Sequence, residues 1–280
     1  MTGVSASLRM LSQELDKAYP LEAVQITEFR ENGFIKLPGV FSAEELESFA
    51  PLISAVVEGE DLNEVPLAER SSYFQAFIQI QNLWTRHPAL RAFILNRRCA
   101  RIAAELLGVD GIRLWHDQAL FKEVGGGITP WHADQFFWPM SSMLSITAWI
   151  PLQSTSVEAG ALQFAAGSHR DDHGRKYGIS DEGETAIAKS LGHAGMEVIS
   201  ESYDLGDVSF HYGWTFHRAE GNRTSAPREA MTMIYMDEAM RVAEPINVFQ
   251  AHDQKTWAPG CEVGEKIDSE INPILYSRDG

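Results

Sequence analysis

The chain has 280 residues, 44% of them apolar, with 39 acidic side chains against 23 basic ones and a formal charge of −16. This length and apolar share support one sizeable core and exclude global disorder. The acidic excess repels a phosphate backbone, which weighs against nucleic acid or an anionic membrane as the main partner. A small anionic ligand stays compatible, because one buried Arg sets the field around it. The two cysteines, Cys99 and Cys261, form neither a disulfide framework nor a thiolate metal site and are expected as reduced thiols. The opening MTGVSASLRMLSQELDKAYP has no basic stretch followed by an apolar run, and no run of about 18 apolar residues occurs later. A cytoplasmic protein is the expectation.

In chain order, residues 21–32 place Val24, Ile26 and Phe29 before Gly33, a helix with a glycine stop. Ser42 and Glu45 have capping-box spacing, and Leu46, Phe49, Ile53 and Val57 follow at helical intervals. Residues 88–107 start at Pro88, put Leu90, Phe93, Ile94, Ile102 and Leu106 on one face, and predict a helix ended by Gly108. From residue 112 the pattern changes to short strand-like runs separated by Gly, Pro and Ser: IRLWHDQALF, SITAWIPL, ALQFAAG, GDVSFHYGW and AMTMIYM. Helices first and strands later predict a mainly β protein, a jelly roll with a helical buttress. One domain over 1–280 is expected, with the helical first third packed on a barrel core from about residue 112. The polar, Gly-containing stretch 171–200 reads as a long insertion over one end, either a lid or a solvated excursion.

The segment TPWHADQFFW (129–138) carries a His-x-Asp pair, His132 and Asp134. Such a pair alone is unspecific, and a second one occurs at His169 and Asp171. A facial Fe(II) site needs two imidazoles and one carboxylate on one side, leaving the other side open. In a strand, i and i+2 share a face, so His132 and Asp134 both aim into a barrel mouth. The third donor must come from a distant strand. His217 and His211 lie in one run, and His217 is preferred because Arg228 follows eleven residues later. That gap fits a strand end, a turn (GNRTSAPR) and a return strand bringing a guanidinium beside the metal. Arg offers a planar fork that binds a carboxylate through two parallel hydrogen bonds.

The ordered set ITEFRENGFIKLPGVFSAEEL, LFKEVGGGITPWHADQ, ITAWIPLQSTSVEAGALQFAAGSHR and GDVSFHYGWTFHRAEGNRTSAPREAMTMIYM resembles the phytanoyl-CoA dioxygenase (PhyH) family of Fe(II)/2-oxoglutarate oxygenases over most of the chain. The resemblance implies a double-stranded β-helix, iron held by His132, Asp134 and His217, and Arg228 on the distal carboxylate of 2-oxoglutarate, with O2 as second co-substrate. By position it also implies co-substrate contacts from Gln118, Trp149 and Gln79. One departure is Ala219, where family members often carry Ser. One hydroxyl contact is thereby lost, and Gln118 or Thr147 is expected to compensate. A carboxylate at Asp134, where related halogenases carry a small residue, points to hydroxylation first, with desaturation, cyclisation or epimerisation as further outcomes of hydrogen abstraction.

Phe136, Phe137, Trp138 and Trp214 divide between core packing and a substrate wall. His169 and Asp171 fall in the GSH segment and are read as structural; His116 and His211 as hydrogen-bonded strand histidines; His173 as a minor substrate candidate; Asp181–Glu184 as a solvated face. Two rival readings remain: a cupin-like metal enzyme working without 2-oxoglutarate, and a non-catalytic jelly-roll binding module. The expected partner is a small molecule, from natural-product tailoring or catabolism.

Overall fold

Strand parity decides which side chains meet. The computed structural model describes residues 13–60 and 65–278. Its two longest strands, β3 (Gly111–Lys122) and β10 (Arg228–Asp237), pair antiparallel at the centre of a seven-stranded sheet. The order is β1 (Phe34–Leu37), β8 (Val208–Tyr212), β5 (Ser145–Pro151), β10, β3 and β11 (Ile274–Ser277), with β2 (Ile78–Gln81) also on β3. A four-stranded sheet faces it, in the order β4 (Thr129–His132), β9 (His217–Ala219), β6 (Leu162–Ala165) and β7 (Val198–Ser200). The two sheets form a double-stranded β-helix, the expected jelly roll.

On the larger sheet, alternate residues face opposite ways. Ala119, Phe121, Ile146, Ala148, Val208, Phe210, Met231 and Met233 join the outer core. Their neighbours Gln118, Leu120, Thr147, Trp149, His211, Arg228 and Thr232 line a cavity between the sheets. A register shift in the β10–β3 pairing, opposite Ile234 and Tyr235, changes the parity of β3 at Trp115. Leu114 and Ile112 therefore join the outer core while His116 reaches the cavity.

That outer core is capped by three helices, α1 (Ala23–Asn32), α2 (Ala43–Glu60) and α3 (Arg97–Leu107). Helix α1 stops at Gly33, which adopts φ 86 and donates its N–H to Phe29 O. A Cβ there would also collide with the His169 ring, so the stop and the packing both require glycine. The capping box of α2 is formed: Glu45 Oε2 accepts from Ser42 N at 2.8 Å, and Ser42 Oγ accepts from Glu45 N at 3.2 Å. Arg98 of α3 pairs two-pronged with Glu45, both bonds 2.9 Å, tying the two helices together.

Three expectations change. The helix predicted over 88–107 is broken: after a 3₁₀ turn at Pro88–Leu90 and a short helix at Arg91–Ile94, Asn96 starts α3 by accepting from Cys99 N at 2.8 Å. A local cap outcompetes continuation. The first third is not purely helical, since FIKL and IQIQ add β1 and β2 to the larger sheet. The stretch 171–200 contains helix α4 (Asp181–His193) and strand β7. Ile187 and Leu191 of α4 bury against Trp131, Ala165 and Phe216 on the back of the smaller sheet. Asp181 and Glu182 are exposed, but Glu184 is half-buried and structural rather than solvated. Among the described residues, no helix is long and apolar enough to cross a membrane.

Candidate active site

His132 is the last residue of β4, and Ala133 continues extended at φ −122, ψ 131 before a 3₁₀ turn begins at Asp134. The alternation therefore carries past the strand end, and both side chains face the cavity. His217 opens β9 and sits directly opposite His132 in the β4–β9 register. The imidazole centroids lie 4.2 Å apart. Asp134 Oδ1 is 3.6 Å from Nε2 of each ring, and one donor atom from each residue lies within 4.8 Å of the others.

The backbone sets the tautomers. His132 Nδ1 is 2.7 Å from Pro130 O, and His217 Nδ1 is 3.0 Å from Thr215 O. A carbonyl only accepts, so each Nδ1 carries the proton and each Nε2 turns a lone pair inward. Burial pushes both imidazoles down to about 4, so they are neutral at pH 7. Burial works against the Asp134 carboxylate, but the His217, His211 and His132 rings outweigh it and hold the carboxyl below its usual range. Two neutral nitrogen donors and one carboxylate oxygen suit a borderline divalent cation with sites to spare.

Asp134 is held from behind. Thr147 Oγ1 donates to Oδ2 at 2.8 Å, and His211 Nε2 lies 3.2 Å from the same atom. Oδ1 is thus left for the side shared with the two other donors. The hydroxyl of Thr147 is engaged by Asp134. His211, expected as a hydrogen-bonded strand histidine, is one, and its bond to Asp134 makes it a third ring of this cluster, 4.4 Å from His217. Strand parity was the available clue, since Ser209 and His211 alternate with Val208, Phe210 and Tyr212, which pack outward.

Arg228, only 2% exposed, lies on the same cavity. Its Nη1 donates to Leu120 O at 2.9 Å, its guanidinium stands 5.5 Å from the Trp149 ring, and its Nε has no partner among the described residues. Burial lowers it only to about 10, so the charge persists, and no carboxylate among the described residues pairs with it. Lys122 stands beside it, pushed to about 6 by burial and by the Arg228 charge. Lys122 Nζ donates to Gly127 O and, at 3.2 Å, to Thr129 Oγ1. Thr129 faces Ala219 across the β4–β9 pair. Gln118 and Gln79 are also on the cavity, joined by a 2.6 Å hydrogen bond, with Tyr73 donating to Gln79 at 2.7 Å.

The cavity measures about 550 Å³, ample for a small-molecule pair. Phe137 and Trp138 line it; Phe136 and Trp214 do not. Phe136 turns behind Phe137, against Gly178, where a Cβ would meet its ring at 2.8 Å. Trp214 packs outside, under the Arg175 guanidinium. His173 is exposed and pairs with Asp171 at 2.6 Å, away from the cavity. The lid-like stretch reaches the cavity instead through Gly178, Ile179 and Ser180.

A double-stranded β-helix with a two-histidine, one-carboxylate cluster facing an unneutralised guanidinium defines a class: metal-dependent jelly-roll proteins with room for an anionic ligand beside the donors. The family model for phytanoyl-CoA dioxygenase (PhyH) matches residues 29–230, and the chain belongs to that family. It is 24% identical to an ectoine dioxygenase of Sphingopyxis alaskensis over 253 residues, covering 82% of this chain and 80% of that protein. Among solved structures, it superposes on the non-haem α-ketoglutarate-dependent carbocyclase SnoK from nogalamycin biosynthesis with TM-score 0.75 and 24% identity, covering 91% of this chain and 96% of that one. The epimerase SnoN from the same pathway, seen with Fe3+, α-ketoglutarate and nogalamycin RO, gives TM-score 0.74 and 23% identity, covering 97% and 99%.

Proposed function

We propose that this protein is a non-haem Fe(II)/2-oxoglutarate-dependent oxygenase that oxidises an unactivated C–H bond of a small molecule. The observation that carries the reading is the convergence of His132, Asp134 and His217 beside the buried, carboxylate-free Arg228. Iron with 2-oxoglutarate and O2 supplies the oxidising power; the chain supplies the donors, their orientation and a sheltered pocket. His132 Nε2, His217 Nε2 and Asp134 Oδ1 hold the metal. Arg228 holds the distal carboxylate of 2-oxoglutarate, with Trp149 stacked beside it and Gln118 and Gln79 on the adjoining wall. The hydroxyl missing at Ala219 comes from Thr129, directly opposite: Lys122 donates to its oxygen, leaving its proton to point at a bound carboxylate. Hydroxylation is the primary outcome proposed. The similarity to a dioxygenase, a carbocyclase and an epimerase keeps related outcomes of hydrogen abstraction within this reading. The reading includes a cytoplasmic enzyme without a nucleic-acid partner, which the charge of −16 supports.

The test is anaerobic calorimetry with 2-oxoglutarate on the Mn(II)-loaded protein, paired with succinate formation by the Fe(II)-loaded protein in air. Arg228→Gln is expected to weaken 2-oxoglutarate binding by about 1.5–3 kcal/mol, the range for a charged hydrogen bond, and Thr129→Val by less. His132→Ala is expected to abolish succinate formation. Wild-type consumption of 2-oxoglutarate by the His132→Ala protein would overturn the assignment of the metal ligands.

A further inference from the structure

The family match ends at residue 230, yet the cavity does not. Beyond residue 230 its wall continues through Thr232 and Ile234 of β10 and then through helix α5 (Val248–Trp257), a later segment that the metal chemistry leaves unused. Asn247 starts this helix by accepting from Gln250 N at 2.8 Å. Asn247 Nδ2 and Gln250 Nε2 then both donate to Phe136 O, at 3.2 and 3.1 Å. The helix is thereby bolted to the turn that follows Asp134, and its inner face is fixed relative to the metal donors.

That inner face carries a carboxylate. Asp253 lines the cavity one helical turn before Trp257, whose indole helps to hold its carboxylate charge. Among the described residues it is, apart from Asp134, the only acidic one on the cavity wall, and it forms no ion pair with any of them. Its neighbour His252 directs Nε2 to Thr256 Oγ1 at 3.3 Å instead. The surrounding wall is aromatic: Tyr73, Phe137, Phe249 and Trp257, with Phe137 and Phe249 edge-to-face at 5.4 Å and the His116 ring tilted 37° against Trp257 at 4.8 Å. The Tyr73 hydroxyl is already committed to Gln79.

A partly buried carboxylate without a countercharge is costly in such surroundings, and burial accordingly pushes Asp253 up to about 7. A cation delivered by a ligand removes that cost. Aromatic faces add attraction for a cation and flat apolar area for the rest of the molecule. The cavity is therefore polarised. Arg228 offers the guanidinium for an anionic co-substrate, and α5 offers a carboxylate within an aromatic wall. Resting on the oxygenase reading above, we propose that Asp253 anchors a protonated amine of the primary substrate, and that the substrate class is an apolar ring compound bearing a basic nitrogen.

The proposal is tested on the Mn(II)- and 2-oxoglutarate-loaded protein under anaerobic conditions with matched ligands differing only in the charged group. Tryptamine is compared with indole-3-ethanol, and 2-(2-naphthyl)ethylamine with 2-naphthaleneethanol, by calorimetry at pH 7.5. Each amine is expected to bind roughly tenfold or more tightly than its alcohol, as a charge-assisted contact provides. Asp253→Asn is expected to erase that preference while the 2-oxoglutarate affinity stays unchanged. Alcohols binding as well as the amines, no amine binding at all, or a preference surviving in Asp253→Asn would each overturn the proposal. The 2-oxoglutarate titration in the same samples separates the two readings. Its failure sinks the oxygenase assignment, whereas normal co-substrate binding without an amine preference sinks only the Asp253 anchor.

Discussion

Thr147 shows how one hydroxyl decides the geometry of a metal site. Its bond to Asp134 Oδ2, shared with His211, leaves Oδ1 as the oxygen that faces both imidazoles. Groups that orient ligands are commonly worth 10–100-fold in metal affinity. Thr147→Val keeps the shape and removes the bond. We expect it to weaken Mn(II) binding by roughly 10–100-fold, read by calorimetry, while the unfolding free energy moves by only about 1 kcal/mol. An unchanged metal affinity would show that Asp134 is oriented by something else. Asp117 is the second residue-scale case. It is fully buried on the outer side of β3, and accepts from Leu83 N at 2.9 Å and Trp84 N at 3.4 Å. Burial pushes it from 3.8 to about 7 despite those bonds. The folded chain therefore keeps a proton that the unfolded chain releases in that window, and stability falls as pH rises from 3.8 towards about 7. Asp117→Asn is expected to flatten this slope in urea unfolding measured at pH 5, 6, 7 and 8. A slope equal to wild type would refute it.

At the scale of elements, helix α4 illustrates what a polar sequence conceals. The stretch 171–200 looks like a loop because its apolar residues are few, but Ile187 and Leu191, one turn apart, are enough to seat one face on the smaller sheet. Ser180 caps the helix by accepting from Gly183 N at 3.0 Å, and Glu184 bridges Trp131 N at 2.6 Å and Arg218 at 2.9 Å. Trp131 immediately precedes His132, so α4 braces the strand that carries the first proposed ligand. Glu184→Ala is expected to cost about 1–3 kcal/mol by stranding the Trp131 amide, measured by urea unfolding. No loss would mean that water replaces the carboxylate without cost. The helix predicted over 88–107 fails for the opposite reason: its apolar face continues across Asn96, yet the local cap at that residue breaks the backbone ladder. Periodicity reports which side is buried, not whether the helix is continuous.

For the whole molecule, the first third and the barrel share one core. Phe49, Ile53 and Phe93 lie in the same apolar cluster as Ile146, Phe210 and Met233. The edge strands β1 and β2 also bring the first third into the larger sheet. We propose that residues 1–280 unfold as one cooperative domain. Tryptophan fluorescence and far-ultraviolet circular dichroism should then report a single coincident urea transition. Two separated transitions would mean that the helical layer and the barrel are independent units.

By itself the sequence determined the barrel, the His132–Asp134 pair and the capped ends of α1 and α2. Each depends on alternation or on spacings of a few residues, which the covalent chain dictates. It also brought His217 and Arg228 to notice through their eleven-residue spacing, and the motif order of a family pointed to the same pair. Only the tertiary structure decided what His211 does beside the preferred His217, placing its Nε2 3.2 Å from Asp134 Oδ2. The chain crosses from the larger sheet to the smaller one between them, at Gly213, where a Cβ would lie 2.4 Å from Ser145 Oγ. One ring thus arrives behind Asp134 and the other in front. Tertiary structure alone likewise brought α5, more than a hundred residues after Asp134, to close the same cavity. Packing between distant elements obeys shape and burial across the whole fold, and no local pattern in the chain encodes it.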